Sequence, residues 1–403
     1  MRRHVLLVVE NVSLARDHRL RKQATSLLAD GYDVTVICRR DPDNRSLEGV
    51  RVLDYPSPAE AESRLGFLWE YAYSWAMAAA LTWRLYLSHR FDVIQISGMP
   101  DIYFAIAAPL RLLGVPLVLD QRDLSPEVYV ARYGTSRGLV HRVLLACERL
   151  SFRNADHVVT VNESLRAVAQ ERGGLRAGAV TVVGNGPRIS RAASDLAAVQ
   201  SRDAGAGSVC CWVGLMGPQD RLDLALRAVA HLVHERRRDD VKAIFVGDGE
   251  ERLPAEQLVD ELRIRAHVEF TGWLGEDEVF HHLRTADVGL EPNMEAVVSP
   301  VKVMEYMACG LPFVAFDLVE TRTLGEGSGE YVPQGDVVAF AEAIDRLLGD
   351  PALRDRMGNI GRQLVTERVA WEHQEVAYLR IFRQLLAQPR GRRRRTDLQV
   401  TSP

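Results

Sequence analysis

The chain has 403 residues, 47% of them hydrophobic and 26% charged, with a formal net charge of −4. That length exceeds one ordinary core and points to two or three domains, while the composition excludes a largely disordered chain. The charge gives no ground for a nucleic-acid partner, yet it is uneven: residues 1–200 hold 25 basic and 21 acidic side chains, against 25 and 33 in the remainder, which suits the first half to an anionic acceptor or surface.

In chain order, Met1-Arg2-Arg3-His4 and the apolar run 5–9 have the outline of a signal peptide, but the run is too short and leads into charged residues. It reads as a first buried strand. Glu10, Asn11, Asp17 and Arg19 follow it. Further β-rich runs at 33–38, 50–53, 93–96, 117–119, 157–161 and 179–183 alternate with helical patterns such as 17–28, 100–113 and 137–152. The longest uncharged stretch, 71–83, is too short to cross a bilayer; it reads as a buried aromatic-rich helix, with a helix lying in a membrane interface as the alternative. Serine, alanine, glycine and arginine dominate 189–208, which marks an interdomain linker.

A second series then begins, with strands at 209–213, 243–246, 267–271, 288–290 and 313–316 separated or followed by helices at 222–234, 253–262, 276–284 and 338–348. The last helical pattern covers 371–386, and the tail 389–403, with Arg392 to Arg395, reads as a disordered basic segment. The expected division is a first domain over 1–190 and a second over 205–367, each a parallel sheet with helices on both faces. The five cysteines lack the spaced pairs that bind zinc, and they read as buried thiols in a reducing cytoplasm. Asp41-Pro42-Asp43 reads as a turn, and the adjacent His281 and His282 are poorly placed to share one ion, so no metal site is expected.

The most informative stretch is Ser299-Pro300-Val301-Lys302-Val303-Met304-Glu305-Tyr306-Met307-Ala308-Cys309-Gly310-Leu311-Pro312, a helix carried between two strands. A helix that starts after a strand's carboxyl end offers free N–H groups to an anion. Ser299 can cap it, Lys302 adds a full charge, and Glu305, one turn on, offers two oxygens suited to paired ribose hydroxyls. A capped helix with one surface ion pair is the plainer account of the same residues.

The segment resembles the donor-site signature of the family 4 retaining glycosyltransferases, in the variant that carries a lysine ahead of Glu-Tyr-Met-Ala. Also similar are Val9-Glu10-Asn11 with Asp17-His18-Arg19, Asp120-Gln121-Arg122-Asp123-Leu124-Ser125-Pro126-Glu127, and Val213-Gly214-Leu215-Met216-Gly217-Pro218-Gln219-Asp220. Asn185-Gly186-Pro187, Gly247-Asp248-Gly249 and Phe316-Asp317-Leu318-Val319-Glu320-Thr321-Arg322 extend the match over nearly the whole chain up to the tail.

The resemblance implies the GT-B architecture, two facing Rossmann-like parallel-sheet domains with the helix 371–386 returning to the first. It implies transfer of a hexose-type sugar, with retention, from a nucleotide sugar (a uridine diphosphate sugar foremost) to a glycan, lipid-linked or natural-product acceptor. Neither a cofactor nor a metal is required, and the expected setting is the cytoplasm, with peripheral contact at the inner membrane face in view. The donor residues so implied are Gly214, Gly217, Gln219, Arg221, Gly247, Asp248, Ser299, Val301, Lys302 and Glu305. Arg122, Lys302 and Glu305 carry catalysis, and Glu10, Asn11, Arg19, Asp123 and Glu127 face the acceptor.

The chain departs from the commoner family pattern where Leu215 and Asp220 stand for an arginine and a lysine, and Val297 for a glutamate. Lys302 and Arg221 are the cations available to compensate. Two rival readings are a nucleotide-sugar 2-epimerase, which would need cleft carboxylates and a histidine that cannot be assigned, and a non-catalytic partner protein, for which Lys302 and Glu305 would have no purpose.

Overall fold

The computed structural model describes residues 2–10, 12–57, 64–98, 101–189, 207–295, 297 and 299–387. Asn11, the linker residues 190–206 and the basic tail lie outside them. The chain divides into two compact units, Met1–Gly184 with the chain from Gln374 onward, and Asn185–His373.

The first unit holds strands β1 (His4–Val9), β2 (Asp33–Arg39), β3 (Val50–Tyr55), β4 (Val93–Ser97), β5 (Leu117–Gln121), β6 (His157–Thr160) and β7 (Val180–Val182). Among the described residues they form one parallel sheet in the order β3-β2-β1-β4-β5-β6-β7. The order reverses at β1 and β4, so their carboxyl ends open the crevice in which such sheets place ligands. Helices α1 (His18–Ala29), α2 (Arg64–Ser88), α3 (Phe104–Leu112), α4 (Ser125–Tyr133), α5 (Leu139–Asn154) and α6 (Glu163–Gly173) make the crossovers. The nearly unbroken burial of β1, β4 and β5 follows from cover on both faces. Asp17 caps α1 through the Leu20 amide, and Asn162 caps α6 through that of Leu165. Helix α2 covers twenty-five residues, well beyond the uncharged stretch 71–83.

The second unit repeats the scheme with β8 (Ser208–Val213), β9 (Val241–Val246), β10 (Val268–Gly272), β11 (Val288–Glu291), β12 (Phe313–Phe316) and β13 (Gly329–Val332), paired in parallel as β10-β9-β8-β11-β12-β13. Its helices are α7 (Leu222–His234), α8 (Arg252–Glu261), α9 (Glu276–Thr285), α10 (Val301–Cys309), α11 (Val319–Leu324), α12 (Val337–Gly349) and α13 (Pro351–Leu364). In α7, Leu222, Ala225, Leu226, Val229 and Leu232 are buried at the spacing that puts them on one stripe, and they join Trp212, Phe245, Phe316 and Phe340 in the main core.

Helix α14 (Trp371–Ala387) leaves the second unit after its first turn and belongs to the first from Gln374 on. There the hydroxyl of buried Tyr378 donates to Gln95 Oε1 at 2.8 Å, and Phe382 packs at Tyr32. The two-unit α/β class read from the alternation is therefore the observed one. Among the described residues no helix is long and apolar enough to cross a membrane.

Candidate functional site

In the second unit the carboxyl ends of β8, β9 and β11 converge on the start of α10. Proline at 300 fixes its own φ and has no N–H, so it forms the N-cap (φ −78°, ψ 68°) and the helix begins after it. Ser299 therefore makes no side-chain cap, contrary to the sequence reading. Its carbonyl accepts the Val301 amide at 2.8 Å, and its hydroxyl lies 3.3 Å from Asn185 Nδ2. Val301 is exposed and Glu305 half-buried. The hydroxyl of Tyr306 donates to Leu290 O at 3.0 Å, which fixes the helix on β11.

Lys302 turns inward. Its Nζ lies 2.5 Å from Asp220 Oδ1, 3.8 Å from Glu291 Oε2 and 5.3 Å from the Trp212 ring centroid. Burial alone would lower the ammonium pKa, but the two carboxylates carry it above the usual lysine value. Glu291, 2% exposed at the end of β11, goes the other way: burial raises its pKa, Lys302 offsets part of the rise, and Oε2 has no hydrogen-bond donor within reach. Gly214 makes room for this cation, since a Cβ there would stand 2.9 Å from Lys302 Cε, and its φ of 151° suits glycine.

Asp220, read from the sequence as the loss of a cation, is thus a partner of the replacement cation and also accepts the Gly217 amide at 3.3 Å. Arg221 sits in the left-handed region (φ 48°) and is committed to Asp223 through two 2.9 Å hydrogen bonds. Between the two candidate compensating cations, only Lys302 lies among the convergent strand ends. Gln219 is exposed beside Gly217. Sequence reasoning passed over Glu291 and Trp212; the signal available for Glu291 was an acid closing an apolar strand at its carboxyl end.

The loop after β9 crosses the loop after β8 at backbone distance. Met216 N donates to Asp248 O at 2.9 Å, and Glu251 N to Met216 O at 3.0 Å. Asp248 is bound to Arg252 at 2.9 Å and to the Gly249 amide at 2.8 Å. A Cβ on Gly247, whose φ is 130°, would lie 1.9 Å from Gly214 O. Gly247→Ala is expected to lower stability by well over ~1 kcal/mol and to weaken nucleotide binding as the loops part; an unchanged denaturant midpoint would show that the crossing is slack.

In the first unit, buried Arg19 donates from Nη2 to Asp120 Oδ1 at 2.8 Å and from Nη1 to Val183 O at 2.8 Å. Its guanidinium is thus engaged with the protein, where an acceptor-facing role was expected. Arg122 donates to Asp120 Oδ2 at 3.0 Å and to Asp17 Oδ2 at 2.5 Å, while its Nη2 is buried without a hydrogen-bond partner. Burial disfavours the charged guanidinium, but Asp17 and Asp120 hold it far above the ordinary arginine value. Glu10 is buried against Arg39 at 3.0 Å, its pKa raised by burial. Glu127 is paired with Arg172. Asp123 is exposed at the start of the loop before α4. The structure brings Arg19 and Arg122 together on one carboxylate and leaves Glu10 and Glu127 in separate ion pairs.

Comparison with known proteins completes the picture. Residues 207–350 match the family model described as Glycosyl transferases group 1, and residues 17–186 match the Glycosyl transferase 4-like domain. The chain is 27% identical over 379 residues to the 2-deoxystreptamine glucosyltransferase of Streptomyces kanamyceticus, covering 90% of this chain and 95% of that protein. Among solved structures, sucrose-phosphate synthase from Thermosynechococcus elongatus superposes with a TM-score of 0.76 at 20% identity, over 96% of this chain and all (100%) of that one. Anabaena HepE in complex with UDP gives a TM-score of 0.71 at 18% identity, over 96% and 100%.

Proposed function

This chain is a family 4 glycosyltransferase of GT-B fold that uses a nucleotide-sugar donor, and from that premise we propose that it transfers a hexose from a uridine diphosphate sugar, with retention, to a hydroxyl of a small natural-product or glycan acceptor. The observation that carries this reading is the placement of Lys302 at the mouth of α10, held by Asp220 and Glu291, with Glu305 one turn further on. Of the first-turn amides of α10, that of Val301 is taken by Ser299 O, while those of Lys302 and Val303 have no intrahelical acceptor, so with the ammonium group these two can stabilise the charge that builds on a departing diphosphate. Glu305 grips the paired ribose hydroxyls. Gly214, Gly217, Gly247 and Asp248 form the backbone floor, and Gln219 supplies an amide.

Arg122 cannot serve as a base and is assigned an electrostatic part in the transfer. Asp123 is assigned to an acceptor hydroxyl. The small-molecule acceptor follows the S. kanamyceticus relative, whose name specifies 2-deoxystreptamine. No cofactor and no metal are assigned to the reaction, and its proposed setting is the cytoplasm, peripheral to the inner membrane face.

Thermal unfolding with uridine diphosphate tests the donor assignment. At a hundredfold excess over Kd, wild type gains about 2.7 kcal/mol; Glu305→Ala is expected to lose most of that gain while melting normally without nucleotide. Equal stabilisation of both proteins would remove Glu305 from the site. The anomeric configuration of the product, read by NMR against that of the donor, tests retention separately.

A further inference from the structure

Helix α5 turns toward solvent a face that the packing of the fold does not explain. Its inner face is accounted for: Glu148, Ser151 and Phe152 are buried, and Phe152 joins Leu119, Ala169 and Val180 in a small core. On the outward side Leu139, Val140, Val143 and Leu150 are 76%, 53%, 51% and 44% exposed. At 3.6 residues per turn, Leu139, Val143 and Leu150 fall in one narrow stripe, and Arg142, Arg149 and Arg153, all exposed, run along its border. The acid of this helix, Glu148, is buried, so the outward face carries basic and apolar groups without a carboxylate. The ion pair of Arg111 with Asp156 brings the end of α3 beside the end of α5, and there Leu112 is 90% exposed.

We propose that this face seats the protein on a bilayer surface containing anionic phospholipid. The apolar stripe enters the boundary between headgroups and acyl chains, and the bordering arginines pair with lipid phosphates. Charge complementarity selects this occupant. A second copy meeting the same face would oppose one row of arginines with another, whereas an anionic leaflet neutralises them. Attachment by a surface helix also fits a chain whose described residues include no helix able to cross the membrane. The inference deepens the peripheral location proposed above and is independent of the donor assignment.

Co-sedimentation of the full chain with vesicles of phosphatidylcholine, alone or with phosphatidylglycerol, tests it. Binding is expected on the anionic vesicles and to weaken with salt. Replacing Leu139, Val143 and Leu150 by Gln, or Arg142, Arg149 and Arg153 by Gln, is expected to reduce it by about tenfold or more each, with melting temperature and nucleotide binding unchanged. A control in which Arg392 to Arg395 are replaced by Ser is expected to keep most of the binding. Absence of binding above the phosphatidylcholine background would overturn the proposal. So would binding that survives in both α5 variants, or that vanishes in the tail variant alone. A wild-type dimer made monomeric by the apolar variant would assign the face to a second copy instead.

Discussion

Lys302→Met is expected to abolish transfer and to destabilise the second unit by about 3–5 kcal/mol, because it strands two carboxylates that the folded protein keeps out of water. Asp220 is 5% exposed and Glu291 2% exposed, and the ammonium group lies 2.5 and 3.8 Å from their oxygens. Desolvation already raises the Glu291 pKa with Lys302 present; with methionine in its place the offset disappears and the rise grows. A carboxyl whose folded pKa lies above its unfolded value contributes stability that is complete below the unfolded pKa and is lost as pH rises through the folded one. The penalty of Lys302→Met is therefore expected to be largest at neutral pH and to shrink toward the ordinary carboxylate range. Glu291→Gln in the same chain should restore much of the stability at pH 7, since a neutral amide costs less to bury. It should not restore activity, because the charge facing the diphosphate is still missing. Urea unfolding of the single and double variants at two pH values separates these effects. A Lys302→Met protein as stable as wild type at neutral pH would mean that the ion pairs of Lys302 with Asp220 and Glu291 are not what holds the site.

That pairing also marks how far the sequence could be read. The alternation of short β-rich runs and helical stripes identified both sheets, because strands covered on both faces are apolar nearly throughout, as β1 and β12 are. It passed over β13, four residues interrupted by Glu330, whose strand identity comes from pairing with β12 and not from its own pattern. Local chemistry found the start of α10 to within two residues but set the cap at Ser299, since the residue type gave no warning that Pro300 would take the cap itself. A partner two residues away, such as Asp120 for Arg122, was open to the sequence, but partners far along the chain were out of reach. Lys302 meets Asp220 across 82 residues of chain and Arg19 meets Asp120 across 101, and no period or spacing relates positions that only the sheet order brings together. Hence Asp220 read as a missing cation and Arg19 as an acceptor ligand, where the fold makes each a partner of a residue that could not be named beforehand.

Asp120→Asn is the counterpart in the first unit, with an expected loss of about 3–5 kcal/mol from a change of one atom. Fully buried Asp120 accepts from Arg19, from Gln23 at 3.1 Å, from Arg122 at 3.0 Å and from Ser97 at 3.3 Å. Burial would raise its pKa, but the Arg19 and Arg122 guanidiniums outweigh burial and hold it far below the usual carboxylate range. Asparagine keeps the shape but removes the charge, leaves Arg122 to Asp17 and Arg19 to the Val183 and Gly184 carbonyls, and puts N–H groups against donors. An acid whose folded pKa is depressed contributes stability present above its unfolded pKa, about 3.9, and lost as pH falls through the folded value. Wild type should therefore lose stability on acidification below about pH 4, and Asp120→Asn should show a correspondingly flatter profile. Adding Arg122→Gln to Asp120→Asn removes the excess positive charge of the cluster and is expected to recover part of the stability. Arg122→Gln alone should destabilise less than Asp120→Asn, yet depress kcat more than KM if the guanidinium acts in the transfer step. If Arg122→Gln leaves kcat unchanged, Arg122 serves only to neutralise Asp17 and Asp120, and the electrostatic role assigned to it falls while the stability argument stands.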